Sequence, residues 1–105
     1  MITRKWQDAE VIRDKNGVTG RKIYDQSEGQ IVHMSVEAGC TLPAHKTPVN
    51  VVFYVLEGEL TIEIGAERQV CPAGTLVESP AQIPHALYNQ TEQVARLLVM
   101  KLPRP

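Results

Sequence analysis

Short apolar runs separated by turn-forming residues recur along the chain. Four of them read VTGRKIY, QIVHMSVE, VNVVFYVL and VARLLVMKL, and Gly, Pro, Asn or acidic residues mark most of their ends. Regularly spaced short runs of this kind are typical of an all-β barrel or sandwich, and none has the length and period of an amphipathic helix. The pattern therefore predicts an all-β fold with at most a turn or two of helix.

Alternation within these runs predicts which side chains face the interior. In LTIEI, the three apolar side chains would share one face, with Thr61 and Glu63 on the other, as in a half-buried strand. Residues 45–57 are interpreted as one strand that enters a barrel and leaves by a tight hairpin at Glu57-Gly58. Its inward positions would be His45, Thr47, Val49, Val51, Phe53 and Val55. This inner wall would be polar at its first end and apolar along the rest.

Length and charge narrow the class of protein. A chain of 105 residues has the size of one domain, and we expect a single domain over residues 1–105. The charges of its 11 basic and 12 acidic residues nearly cancel, so nucleic acid is not an expected partner. The N-terminal residues lack the apolar core of a secretory signal, and no segment approaches the roughly 20 apolar residues of a membrane span. We expect a soluble, cytoplasmic protein that binds no membrane.

Cys40 and Cys71 are the only cysteines, and they lack the CxxC spacing of a redox or zinc motif. In a chain without a secretory signal, two such residues are more often reduced thiols than a disulfide. We assign no chemistry to them.

Two segments carry a family resemblance, and with the strands around them they account for most of the chain. The segment GCTLPAHKTPVNVVFYVLEG resembles the first cupin motif, which Gly39, His45 and Gly58 match. The segment GTLVESPAQIPHALYN resembles the second cupin motif, with matches at Gly74, Pro80, His85 and Asn89. The resemblance implies a small jelly-roll β-barrel, a double-stranded β-helix, whose sheets close around an interior pocket.

The departures from the two motifs concern the metal site that the resemblance would imply. Thr47 stands where the family has a second histidine, Val51 where it has a glutamate, and Gln82 where it has a glycine. Only His45 and His85 remain as metal ligands, so the resemblance implies at most a weakly bound zinc, nickel or copper ion with water completing its shell. The alternative is that His45 and His85 are hydrogen-bonded pocket histidines without metal.

His33 is a further candidate for a nitrogen ligand because QIVHMSVE is expected to run through the same barrel. Alternation groups His33 with Ser35 and Glu37, opposite the apolar Val32 and Met34. This grouping predicts that His33 faces solvent and lies outside the pocket.

Three functions are compatible with these residues. The first is a binding module whose pocket holds a small, partly apolar molecule against His45, Thr47, Val51, Phe53 and His85. The second is a metal-dependent enzyme of the isomerase, decarboxylase or dioxygenase type. The third, metal-free catalysis with one histidine as general base, requires an orienting carboxylate or carbonyl that the sequence does not place. Replacement of the glutamate by Val51 favours the binding module.

Association with a second copy of the chain is also expected. Small cupin barrels commonly pair, and the run VARLLVM would otherwise leave an open sheet edge, so the resemblance and the pattern predict a homodimer. Trp6 lies in a polar N-terminal arm, where an isolated exposed Trp would be unusual. We expect it to anchor the arm on the barrel or on the partner subunit.

Overall fold

A computed structural model describes residues 1–105 and is almost entirely β-structure. One turn of 3-10 helix, Trp6–Asp8, precedes ten strands, and no helix has the length and apolar character needed to cross a bilayer. The strands are β1 (Glu10–Lys15), β2 (Val18–Gln26), β3 (Gly29–Val36), β4 (Thr41–His45), β5 (Asn50–Glu57), β6 (Glu59–Ile64), β7 (Glu67–Pro72), β8 (Leu76–Ser79), β9 (His85–Tyr88) and β10 (Ala95–Leu102). The all-β prediction is confirmed.

The strands form two antiparallel sheets that enclose the core as a jelly roll. One sheet has the order β1-β2-β3-β10-β5-β8 and the other β4-β9-β6-β7. A cluster of 15 buried residues from both sheets fills the space between them, and its largest fully buried members are Phe53, Leu60, Leu87 and Leu97. Burial of this apolar surface is the main favourable contribution to folding.

Residues 45–57 do not form the single strand that the alternation predicts. Strand β4 ends at His45 in the four-stranded sheet, residues 46–49 form a loop, and β5 begins at Asn50 in the six-stranded sheet. Pro48 lies in this loop and has no N–H to donate to a strand ladder, which accounts for the break. The inward positions of β5 are nevertheless those predicted, because Val51, Phe53 and Val55 are all buried.

The predicted hairpin at Glu57-Gly58 is also wrong. Strand β5 pairs with β10 and β8, whereas β6 pairs with β7 and β9, so the chain passes from one sheet to the other at this point. Gly58 has φ 76°, and a Cβ atom there would lie 2.7 Å from the carbonyl oxygen of Val94. The glycine therefore permits a close corner between sheets rather than a two-residue hairpin.

Strand β10 lies in the middle of its sheet. It pairs with β3 on one side and β5 on the other, so the prediction that VARLLVM leaves an open edge is wrong. The edges of this sheet are β1 and β8, and those of the other sheet are β4 and β7. Strand β1 was not predicted because EVIRDK is largely polar, a composition that suits an edge strand.

The N-terminal arm rests on the outer face of the six-stranded sheet. The ring of Trp6 stacks on His33 with centroids 4.1 Å apart and planes inclined by 6°. The Arg21 guanidinium donates hydrogen bonds to the carbonyl oxygens of Gln7, at 3.2 Å, and Ala9, at 3.0 Å. His33 points away from the barrel interior, as its alternation predicts, but it is only 3% exposed because the arm covers it. Its predicted exposure to solvent is therefore wrong.

Candidate functional site

A cavity of about 250 Å³ opens between the two sheets. All five residues predicted to bind a ligand line it, namely His45, Thr47, Val51, Phe53 and His85, and His33 does not. Since a cavity of about 150 Å³ holds benzene, this one has room for a compact molecule of roughly ten non-hydrogen atoms. The structure thus brings the predicted site residues together, and their role in binding a ligand stays a prediction.

Two neighbouring strands of the four-stranded sheet bring His45 and His85 into contact. His45 ends β4 and is the cross-strand partner of His85, which begins β9. Their Nε2 atoms are 3.1 Å apart, and the two rings are nearly perpendicular at 89°. At this distance one imidazole N–H donates a hydrogen bond to the other imidazole.

The neighbours of the two imidazoles fix the direction of this hydrogen bond. The Nδ1 atom of His45 lies 3.2 Å from the carbonyl oxygen of Pro43, which can only accept, so Nδ1 carries a proton and, in the neutral imidazole, Nε2 of His45 is the acceptor. His85 then donates from Nε2, and its Nδ1 accepts from the Ser79 hydroxyl at 2.9 Å. The result is a chain of three hydrogen bonds in which Ser79 donates to His85, His85 to His45, and His45 to the Pro43 carbonyl.

His85 is the buried member of the pair. Burial, reinforced by the electrostatic effects of His45 and Lys101, lowers the pKa of His85 from its ordinary value of 6.5 to about 4. His85 is therefore neutral at physiological pH, in agreement with the donor and acceptor assignment above. The Phe53 ring packs perpendicular to the His85 ring, with an interplanar angle of 90° and ring centroids 5.2 Å apart.

Thr47 reaches the cavity from the loop that joins β4 to β5. Its carbonyl oxygen accepts a hydrogen bond from the backbone N–H of Gln82 at 2.9 Å, and the residue is 7% exposed. Gln82 has φ 67°, the left-handed conformation that glycine adopts most easily. The backbone at residue 82 is thus left-handed although the motif glycine has been replaced.

The cavity lacks the donors of the metal centre that the cupin motifs imply. No group of three or more His, Cys, Asp or Glu side chains in the chain could hold a metal ion, and no carboxylate lines the cavity. The two imidazole Nε2 atoms are engaged with each other, and the cations Arg13 and Lys101 line the same space. This donor set does not fit a resident divalent cation, which needs free lone pairs and a compensating negative charge.

Four groups of the site were missed by sequence reasoning. Two of them orient the histidines, the Ser79 hydroxyl and the Pro43 carbonyl, and the other two are the cavity cations Arg13 and Lys101. Lys101 could have been found, because it continues the inward alternation of Leu97 and Val99 along β10. The Pro43 carbonyl is the orienting group that metal-free catalysis requires and that the sequence does not place.

The remaining motif residues shape the backbone. Asn89 is 1% exposed, and its amide donates to the carbonyl oxygens of Val36, at 2.9 Å, and Gln93, at 2.7 Å. Gly39 and Gly74 have φ values of 74° and 90°, which side chains rarely allow. These residues hold turns rather than ligands.

The fold and the cavity together define the class of this protein, a jelly-roll barrel with a pocket between its sheets. The protein TT1209 from Thermus thermophilus has a similar structure, with a TM-score of 0.86 at 23% sequence identity over 100% of both chains. An RmlC-like cupin from Shewanella frigidimarina gives a TM-score of 0.84 at 19% identity over 95% of this chain and 88% of that one. A predicted oxalate decarboxylase from Thermotoga maritima gives a TM-score of 0.84 at 16% identity over 96% of this chain and 99% of that one. At these identities the likeness concerns the fold alone.

The sequence profile of the Cupin domain matches residues 32–101. The chain therefore belongs to the cupin family, and the resemblance carried by the two motifs is confirmed. No curated protein sequence matches the chain. Because a cupin fold supports many unrelated functions, the function has to be inferred from the site itself.

Proposed function

We propose that this cupin barrel binds a small organic molecule in the cavity between its sheets, and that it does so through its own side chains. The observation that carries the proposal is the hydrogen-bond chain from Ser79 through His85 and His45 to the Pro43 carbonyl. It engages the lone pairs that a metal ion would need and holds both imidazoles in fixed positions. The apolar Val51 and Phe53 line the same cavity beside these polar groups, so the cavity suits a ligand with both polar and apolar parts.

A second candidate function is a metal-dependent enzyme of the isomerase, decarboxylase or dioxygenase type. The 3.1 Å separation of the His45 and His85 Nε2 atoms favours it, because two ligands of one ion can lie this close. Metal binding by both atoms would require the His85 proton to move from Nε2 to Nδ1 and the inter-histidine hydrogen bond to break. We therefore expect any zinc, nickel or copper ion to be held weakly.

Metal content separates the two candidates. Untagged protein is dialysed against a mild chelator, and the metal retained per chain is measured by elemental analysis. We expect retention far below one ion per chain, since two imidazoles without a carboxylate form a weak site. Near-stoichiometric retention would mean that further donors complete the site, and the enzyme would then be the better-supported function.

A ligand screen combined with a variant that fills the cavity tests the binding proposal directly. Compact organic molecules of roughly ten non-hydrogen atoms are screened against the chelator-treated protein by NMR. We expect binders that shift the resonances of Phe53 and His85 in the wild type and lose their effect in Val51→Phe, whose ring would occupy the cavity. Val70→Phe makes the same change on the exposed strand β7 and should leave binding intact. Binding that persists in Val51→Phe would contradict the proposal.

The cytoplasmic location stays a prediction. Cell fractionation followed by detection of the native chain tests it.

A further inference from the structure

A lysine without a counter-charge lines the cavity. Lys101 lies on β10, where its cross-strand partner on β5 is Val51. Val51 occupies the position at which the cupin motif has its glutamate, so no carboxylate lies opposite the Lys101 ammonium. Burial lowers the pKa of Lys101, as expected for a cation removed from water without compensation.

Arg13 is a second uncompensated cation in the same cavity. It lies on the edge strand β1 opposite Gly20, which has no side chain and leaves room for the arginine. The Nε–H of Arg13 is buried and has no hydrogen-bond partner. Arg96 also has an unpartnered Nε–H, but its guanidinium pairs with Glu57 at 2.6 Å.

The acidic residues of the chain lie elsewhere. Although the chain has 12 Asp and Glu residues, none lines the cavity. All five salt bridges are formed by other cations, which are Lys22, Arg68, Arg96 and Arg104. Lys101 and Arg13 are partly buried, and charges withdrawn from water without partners are costly; a bound anion would supply the missing charge and hydrogen-bond acceptors.

We propose that the ligand of this cavity is a compact organic anion, most simply a monocarboxylate with an apolar body, whose charge is neutralised by Lys101 and Arg13. The inference rests on the proposed function, since it names the chemistry of the molecule that the cavity binds. The apolar body lies against Val51, Phe53 and Met34, and the cavity volume of about 250 Å³ limits its size. A carboxylate offers the acceptor geometry that guanidinium and ammonium groups bind well.

The test compares acids with neutral molecules of the same shape. Benzoate and hexanoate are titrated into the chelator-treated protein beside benzamide and hexanamide, with affinity measured by calorimetry and the bound site located by NMR. We expect the carboxylates to bind at least about tenfold more tightly than their amides, because only they form charge-assisted hydrogen bonds with both cations. Shifts at Phe53 and Lys101 would place them in the cavity.

Variants of Lys101 and Arg13 test whether these two cations bind the carboxylate. Lys101→Met and Arg13→Gln should each weaken benzoate binding by about tenfold or more and leave benzamide binding unchanged. Lys15→Met removes the same charge at an exposed position outside the cavity and should change neither affinity. Lys101→Met should also raise the melting temperature of the ligand-free protein, since it removes a partly buried, unpaired charge, and this rise shows that the variant is folded.

The outcomes distinguish this inference from the proposed function. Equal binding of acids and amides at Phe53, or unchanged benzoate affinity in folded Lys101→Met and Arg13→Gln, would overturn the anion inference and leave small-molecule binding standing. No binding by acids or amides would overturn the inference. If the NMR screen of compact organic molecules also finds no molecule that binds in the cavity, the proposed function would be overturned.

Discussion

Among single residues, His33 shows how a covering segment changes the chemistry of a side chain. It lies on the outer face of the six-stranded sheet beneath Trp6, and the guanidinium of Arg96 lies 5.2 Å from the centroid of the Trp6 ring. Burial lowers the pKa of His33, and the positive charges of Arg96 and Arg21 lower it further, against a backbone hydrogen bond that raises it. Neutral His33 is therefore the form that suits the docked arm.

The lowered pKa of His33 predicts that acid destabilises the docked arm. Because the folded pKa lies below the unfolded one, the folded state binds fewer protons just below the ordinary histidine pKa. Stability is therefore full above that pKa and falls as the pH drops toward the folded pKa. Urea unfolding from about pH 8 to about pH 5 measures the effect, and fluorescence of Trp6, the only tryptophan, reports release of the arm.

His33→Gln is the control for this titration, since it keeps a planar polar side chain but cannot be protonated. It should flatten the part of the pH dependence that His33 contributes, while changes due to His85 remain in both proteins. An identical pH dependence in the wild type and in His33→Gln would contradict the prediction.

Among the elements, the loop 46–49 and strand β5 supply the two positions at which the cupin metal ligands are replaced. Thr47 reaches the cavity from the loop and Val51 from β5. The sequence predicts that Thr47→His together with Val51→Glu raises metal affinity strongly. Lys101 faces residue 51 across the strand pair, so a carboxylate there would first pair with the lysine.

Restoring the ligands should therefore succeed best when Lys101 is also removed. We expect the double variant Thr47→His, Val51→Glu to bind nickel or zinc roughly tenfold more tightly than the wild type, and addition of Lys101→Met to raise the affinity further. Calorimetric titration with each metal measures the affinities. Thr47→Gln with Val51→Gln is the control of similar size without the imidazole and carboxylate. Equal affinity in the double variant, its control and the wild type would show that the backbone does not present these positions to one ion.

For the whole molecule, the predicted homodimer now rests on the exposed edges of the sheets, because β10 lies inside its sheet and offers no free edge. Strand β1 forms one edge of the six-stranded sheet, and its Val11 is 45% exposed. Although most of β1 is polar, an exposed apolar side chain on an unpaired edge favours association with a second copy. We expect a dimer through β1, with light scattering at micromolar concentration giving twice the chain mass.

Charge substitutions on two edges test this arrangement. Val11→Lys should shift the protein toward the monomer, whereas Val70→Lys on the opposite sheet's edge strand β7 should leave the dimer intact. A monomer mass for the wild type would show the homodimer prediction to be wrong. Dissociation by Val70→Lys alone would place the interface at β7.

The sequence alone determined the fold class and the polar end of the cavity. Short apolar runs with turn signals predicted the strands, and the two motifs predicted that His45 and His85 would meet. Alternation also placed Val51 and Phe53 inside correctly, because successive side chains of a strand point to opposite faces whatever the strand pairs with. The strand positions and their inward faces are local properties, since a few neighbouring residues suffice to fix them, whereas the pairing of the two histidines rests on the family resemblance.

Tertiary structure alone decided where each strand pairs and what covers its outer face. The break at Pro48 and the corner at Gly58 place β5 in one sheet and β4 and β6 in the other, and this arrangement brings Ser79 and Pro43 to the two histidines. Packing of the N-terminal arm buries His33, and packing of β1 and β10 places Arg13 and Lys101 in one cavity. These outcomes depend on contacts between residues far apart in the chain, and the strand period carries no information about them.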